Sequence, residues 1–139
     1  MTAYIDSSVF LRILLNQKGC LKEFQQVTKP VASLLLKTEV LRTIDRLRVT
    51  GKINEDQFVT LTSQVHESLN SVEFIRLSDS IVSSAGASLP IALGMLDAIH
   101  LVSALSWKNS RKEEIVFLTH DQLLGKAALA SGLAVIGCK

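Results

Sequence analysis

Short apolar runs alternate with helix-like stretches from one end of the chain to the other. This alternation limits the fold more than any other feature of the sequence. The runs at Ala3–Ile5, Val31–Ala32, Val72–Leu77, Ile115–Leu118 and Leu133–Ile136 read as strands. Ile115-Val-Phe-Leu118 is apolar throughout, as expected of a strand buried on both faces. Between the runs, apolar residues recur at helical spacing. Leu36, Val40, Ile44 and Leu47 form one stripe within Leu34–Val49, and Phe58, Leu61, Val65 and Leu69 form another after Asn54. Further helices are expected over Ser8–Asn16, Cys20–Val27, from Ser78 or Asp79 to Ala87, Met95–Trp107 and Gln122–Ala130, with Asn109–Glu114 a charged loop. Strands that alternate with helices imply a parallel sheet covered on both faces by right-handed crossovers, an α/β fold.

A chain of 139 residues predicts a single domain, 1–139, and a hydrophobic share of 47% is ample for its core. Aromatic residues are scarce, so Leu, Val, Ile and Ala must fill it. Cys20 and Cys138 lie far apart without zinc-site spacing and read as free thiols of a reducing compartment. No run of about 18 apolar residues occurs, which argues against a membrane span and for a cytoplasmic protein. A net charge of +2 alone says little about partners.

The acids are more informative. Asp6 and Asp121 each follow a strand and precede a helix, Asp97 falls in the first turn of its helix, and Glu39 lies within the first two turns of the helix from Leu34. In a parallel sheet these positions share the carboxyl edge, where ligands bind in such folds. Asp97 is the most telling, because Met-Leu-Asp-Ala-Ile-His-Leu-Val-Ser-Ala-Leu is apolar nearly all round. A carboxylate in such a helix is costly unless paired or metal-bound. Four acids at one edge make a site for a hard divalent cation, Mg²⁺ or Mn²⁺. Singly, the acids have plainer readings: Asp6 and Asp121 as helix caps, Glu39 as a partner of Arg42. His100 either orients Asp97, binds metal or is a hydrogen-bonded core residue. Arg42, Arg46, Arg48 and Lys52, with Arg12, either contact phosphates or form a solvated face. A phospho-receiver domain also gathers carboxylates at this edge, but the third strand here lacks the Asp it needs.

The stretches Tyr-Ile-Asp6-Ser-Ser-Val-Phe-Leu, Thr-Glu39-Val-Leu-Arg, Leu-Asp97-Ala-Ile-His-Leu-Val-Ser-Ala-Leu and Phe-Leu-Thr119-His-Asp121-Gln-Leu-Leu-Gly-Lys-Ala-Ala follow one another along the whole chain. Together they resemble the PIN-domain ribonucleases, and among these the VapC-type toxins of toxin–antitoxin pairs. The resemblance implies a three-layer α/β/α sandwich on a central parallel five-stranded sheet, with strand order 3-2-1-4-5. It implies Mg²⁺- or Mn²⁺-dependent cleavage of RNA to 5′-phosphate and 3′-hydroxyl ends. Asp6, Glu39, Asp97 and Asp121 would form the acidic, metal-binding cluster, with Ser8 and Thr119 as supporting hydroxyls. It also implies a small antitoxin partner and a homodimer. Two other roles fit the same motifs: RNA maturation without toxicity, and an inactive PIN-like module that binds metal or a partner.

Overall fold

The computed structural model describes residues 1–138. Five strands, β1 (Thr2–Ile5), β2 (Lys29–Ser33), β3 (Glu73–Ile75), β4 (Val116–Leu118) and β5 (Ala134–Ile136), form one parallel sheet in the order β3-β2-β1-β4-β5. The α-helices are α1 (Ser7–Leu14), α2 (Leu35–Val49), α3 (Glu55–Leu69), α4 (Asp79–Ala85), α5 (Met95–Arg111) and α6 (Gln122–Ala130). Both the α/β sandwich and its strand order match the expectation.

Side-chain alternation along each strand feeds two cores. Ala3, Ile5 and Leu118 turn to one face, under Val9, Phe10, Leu36, Val40, Ile44 and Val65 of α1, α2 and α3. Tyr4, Val31 and Phe117 turn to the other, under Leu101, Ala104, Trp107, Leu124 and Ala127 of α5 and α6. The order of strands puts β1 at the centre, so whatever follows Ile5 stands in the middle of the carboxyl edge. Asp6 continues the ladder there, its N–H donating to Leu118 O at 3.1 Å.

Three elements differ from the sequence reading. Cys20–Val27 is not an α-helix but holds a short 3-10 helix at Lys22–Gln26. None of its residues is fully buried, and the partial packing of Phe24 on the core is too little to repay a longer helix. Strand β2 extends back through Pro30, which a central strand would exclude. Its pairing with β3 starts only at Val31, so Pro30 has β1 alone as neighbour, an edge-like setting. Helix α5 runs through the expected loop to Arg111 and stops at Lys112, whose φ is 51°. Arg111 pairs with Glu73 and lies 5.6 Å from the Trp107 ring, which holds the last polar turn against the sheet.

Candidate active site

Asp6 occupies the cap position of α1, yet its side chain caps nothing. The residue is 4% exposed, and its carboxylate is held by hydroxyls instead. Ser8 Oγ donates to Oδ2 at 2.6 Å and Thr119 Oγ1 donates to the same oxygen at 2.8 Å. Oδ1 receives neither. Each hydroxyl is itself fixed by a backbone donor: His120 N–H to Ser8 Oγ at 3.0 Å, and Asp121 N–H to Thr119 Oγ1 at 3.0 Å. Thus the supporting places implied for Ser8 and Thr119 are occupied as hydrogen bonds to Asp6. The capping reading of Asp6 is excluded, because its donors are hydroxyls, not helix amides. Among the described residues it has no cationic partner, and a buried carboxylate held by neutral donors alone is a costly arrangement.

Asp121 does cap its helix, accepting from Leu124 N–H at 2.9 Å. Asp97 lies in the first turn of α5, which the sheet, α4 and α6 bury from Ala98 to Ala104. Among the described residues no group donates a hydrogen bond to its carboxylate. Burial raises the pKa of Asp97, and repulsion from Asp121, Asp6 and Glu39 raises it further, with His100 opposing. The three other acids therefore act on Asp97 as neighbours, so the fold brings all four expected acids to one edge.

Glu39 is part-buried, its side chain 19% exposed, and among the described residues it is paired with His100 rather than Arg42. Its Oε1 lies 2.5 Å from His100 Nε2, and Ser7 Oγ approaches Oε2 at 3.5 Å. His100 is fully buried. Its Nδ1 lies 2.6 Å from the Tyr4 hydroxyl, which also accepts from Ser33 N–H at 3.1 Å. Burial raises the Tyr4 pKa well above its ordinary value, so the phenol keeps its proton. Burial opposes an imidazolium at His100, but the hydrogen bond and charge of Glu39 outweigh it, and the pKa is raised. Of the three sequence readings of His100, the hydrogen-bonded core residue holds, and its carboxylate partner is Glu39 rather than Asp97. Tyr4 and Ser7 also reach the site. Both lie within the Tyr-Ile-Asp6-Ser-Ser stretch, Tyr4 two residues before Asp6 and Ser7 directly after it, but nothing in the stretch itself marks their roles.

The cluster is not a closed cage. Among the described residues, no three of His, Cys, Asp and Glu stand close enough together to hold one ion. The donors are hard oxygens, and Mg²⁺ commonly takes one or two carboxylates and keeps its waters. The residues present fit such a hydrated ion.

Of the basic residues, Arg48 is spent internally. It pairs with Asp45 at 2.6 Å and stacks 4.1 Å from the Phe58 ring. Arg42 and Arg46 instead line a groove with Glu39 and Ser7. Arg12 and Lys22 line a cleft beside His120. Cationic side chains thus flank the acidic edge on the β2 side and on the β4–β5 side. Cys20 and Cys138 are both free thiols.

No family model matches the sequence. The chain is 27% identical over 138 residues to Ribonuclease VapC46 of Mycobacterium tuberculosis, covering 96% of this chain and 95% of that one. In fold it is similar to a chain of a toxin–antitoxin complex from Klebsiella pneumoniae, with a TM-score of 0.69 at 14% identity over 97% of this chain and 96% of the other. The likeness read from the four acidic motifs therefore extends along nearly the whole sequence, and the chain resembles the VapC-type PIN-domain ribonucleases.

Proposed function

We propose that this protein is a Mg²⁺- or Mn²⁺-dependent endoribonuclease that cuts RNA to 5′-phosphate and 3′-hydroxyl ends, and that it is the toxin of a toxin–antitoxin pair. The observation that carries the reading is Asp6: a buried carboxylate that caps nothing, has no cationic partner among the described residues and is aimed by two hydroxyls. Such a group is arranged for an ion brought from outside. The relative named a ribonuclease supports the RNA substrate, and the fold of a toxin–antitoxin structure supports an antitoxin partner.

Asp6, Glu39, Asp97 and Asp121 would hold the hydrated ion among them. When bound, it would supply an activated water and offset charge at the leaving 3′-oxygen. The protein's own part is placement. Ser8 and Thr119 fix the Asp6 carboxylate, and Arg42 and Arg46 on one side and Arg12 on the other meet phosphates that flank the scissile one. A small antitoxin, a homodimer and a cytoplasmic location complete the proposal.

The test is cleavage of RNA by purified protein with Mg²⁺, Mn²⁺ or EDTA, beside Asp97→Asn. Cleavage needs metal, and the variant loses at least about 100-fold, as removal of several kcal/mol of charge stabilisation requires. Undiminished cleavage in EDTA or by Asp97→Asn sinks the assignment. Growth arrest on expression, relieved by the product of an adjacent small gene, separates a toxin from a maturation nuclease.

A further inference from the structure

A hydrogen-bonded chain crosses the core behind the acidic edge and joins four elements: Ser33 at the end of β2, Tyr4 of β1, His100 of α5 and Glu39 of α2. The sense of each bond follows from counting protons. Ser33 N–H can only donate, so it takes one acceptor site on the Tyr4 oxygen. In the neutral ring the phenol's proton goes to His100 Nδ1 and the imidazole proton stands on Nε2; in the imidazolium Nδ1 donates to the Tyr4 oxygen instead. In both forms Nε2–H donates to Glu39 Oε1.

We infer that Tyr4 and His100 are positioning residues that hold Glu39 in one orientation, with Oε1 committed to the core and Oε2 left beside Ser7 at the acidic edge. The inference rests on the metal-dependent reading of that edge and adds to it how one acid is aimed. An unaimed glutamate on an exposed helix flank samples many rotamers, and that freedom is lost on binding an ion. Here the fold has already fixed one rotamer. Filling the same space with apolar side chains would be the cheaper way to build a core, since a buried polar chain repays its desolvation only when every member is satisfied. The surroundings of the ring offer it no second task. Helix α5 is otherwise apolar from Ile99 to Leu105 apart from Ser103, and its neighbours on β1 and β4 are Tyr4 and Phe117, whose rings stack 5.0 Å apart. Among the described residues the ring's hydrogen-bond partners are Tyr4 and Glu39, and of these two Glu39 is the group an ion would use.

The experiment compares wild type, His100→Leu, His100→Gln and Tyr4→Phe. Direct Mn²⁺ binding is measured by electron paramagnetic resonance of the free ion, and folding by circular dichroism and Tm. His100→Leu removes the donor and is expected to weaken Mn²⁺ binding about 10–100-fold, the usual effect of deleting a group that orients a metal ligand. His100→Gln keeps an N–H at a similar reach and recovers most of the loss. Tyr4→Phe, which loosens the ring without touching Glu39, falls between them. In cleavage assays the concentration of Mn²⁺ for half-maximal rate shifts in the same order.

Folded His100→Leu that binds Mn²⁺ as wild type does overturns the inference and leaves His100 a core residue. If His100→Leu does not fold, a folded Tyr4→Phe with wild-type Mn²⁺ affinity overturns it equally. Wild type that binds Mn²⁺ but cuts no RNA removes the nuclease reading while the order of affinities still decides this one. Wild type that binds no Mn²⁺ overturns both.

Discussion

Asp97 shows at the scale of one residue what a functional carboxylate costs the fold. Burial and three neighbouring acids raise its pKa, so the folded state prefers the neutral acid more than the unfolded chain does. The sign of the linkage follows. Above the folded pKa the carboxylate carries its full cost; as pH falls through the folded pKa toward the ordinary one, the cost disappears. Asp97→Asn should therefore be more stable than wild type in EDTA at pH 7, by roughly 1–4 °C in Tm, and the difference should close as pH falls toward about 4. Thermal unfolding at stepped pH checks this, and a variant less stable at pH 7 would show that Asp97 has an unseen partner. Asp97 is legible in the sequence because a lone acid in an apolar helix has little reason to be there except a ligand. Asp6 is legible as a position but not as a geometry. Its hydroxyl donors lie two residues away and at the far end of the chain, and no spacing rule distinguishes a capping aspartate from one aimed away from its helix. Glu39 is harder still. Arg42 is one turn along, yet the partner that holds Glu39 is His100, which only the packing of α5 on β1 brings near.

At the scale of elements, the turn from β4 into α6 carries two site residues, Thr119 and Asp121, and is built against the residues after β5. The Cys138 thiol donates to Asp121 O at 3.0 Å and approaches Thr119 O at 3.4 Å. Room for it comes from Gly125 in α6, where a methyl group would overlap Cys138 Sγ and lie 3.1 Å from its Cβ. Gly137 is needed for two reasons: its φ is +110°, and a side chain there would overlap Thr119 O. Gly125→Ala should destabilise the protein by about 1–3 kcal/mol, the usual penalty of overpacking a close contact. Adding Cys138→Ala should return most of that loss, and a double-mutant cycle by urea unfolding measures the coupling. Additive losses would mean that the two residues do not meet. The sequence alone places α6 and β5, since each carries an unmistakable apolar pattern. It gives no reason for Gly125, because the group that needs the space lies on another segment. The same limit applies to α5. Its last turn has no apolar period, and Glu73 and Trp107, which hold Arg111, belong to the packed structure rather than to the local sequence.

At the scale of the whole molecule, the four acids come from four segments that are adjacent only once the sheet has assembled in the order β3-β2-β1-β4-β5. An unfolded chain offers an ion no such group, so any ion that binds at the edge must stabilise the fold. In its absence Asp97 is raised in pKa first by burial and then by repulsion from Asp121, Asp6 and Glu39. Binding relieves that repulsion as well as forming new contacts. At a free concentration about 100 times the dissociation constant, Mn²⁺ should add about 2.7 kcal/mol. For a domain of this size that is a rise of roughly 8–10 °C in Tm. Asp97→Asn should reverse the comparison. It starts above wild type in EDTA and gains much less from Mn²⁺, so the two melting curves exchange order as the ion is added. Thermal unfolding across an Mn²⁺ titration tests this without RNA and without turnover. A wild-type Tm that stays flat to millimolar Mn²⁺ would rule out a resident ion at the edge, and Asp6 would then need a cationic partner from another chain.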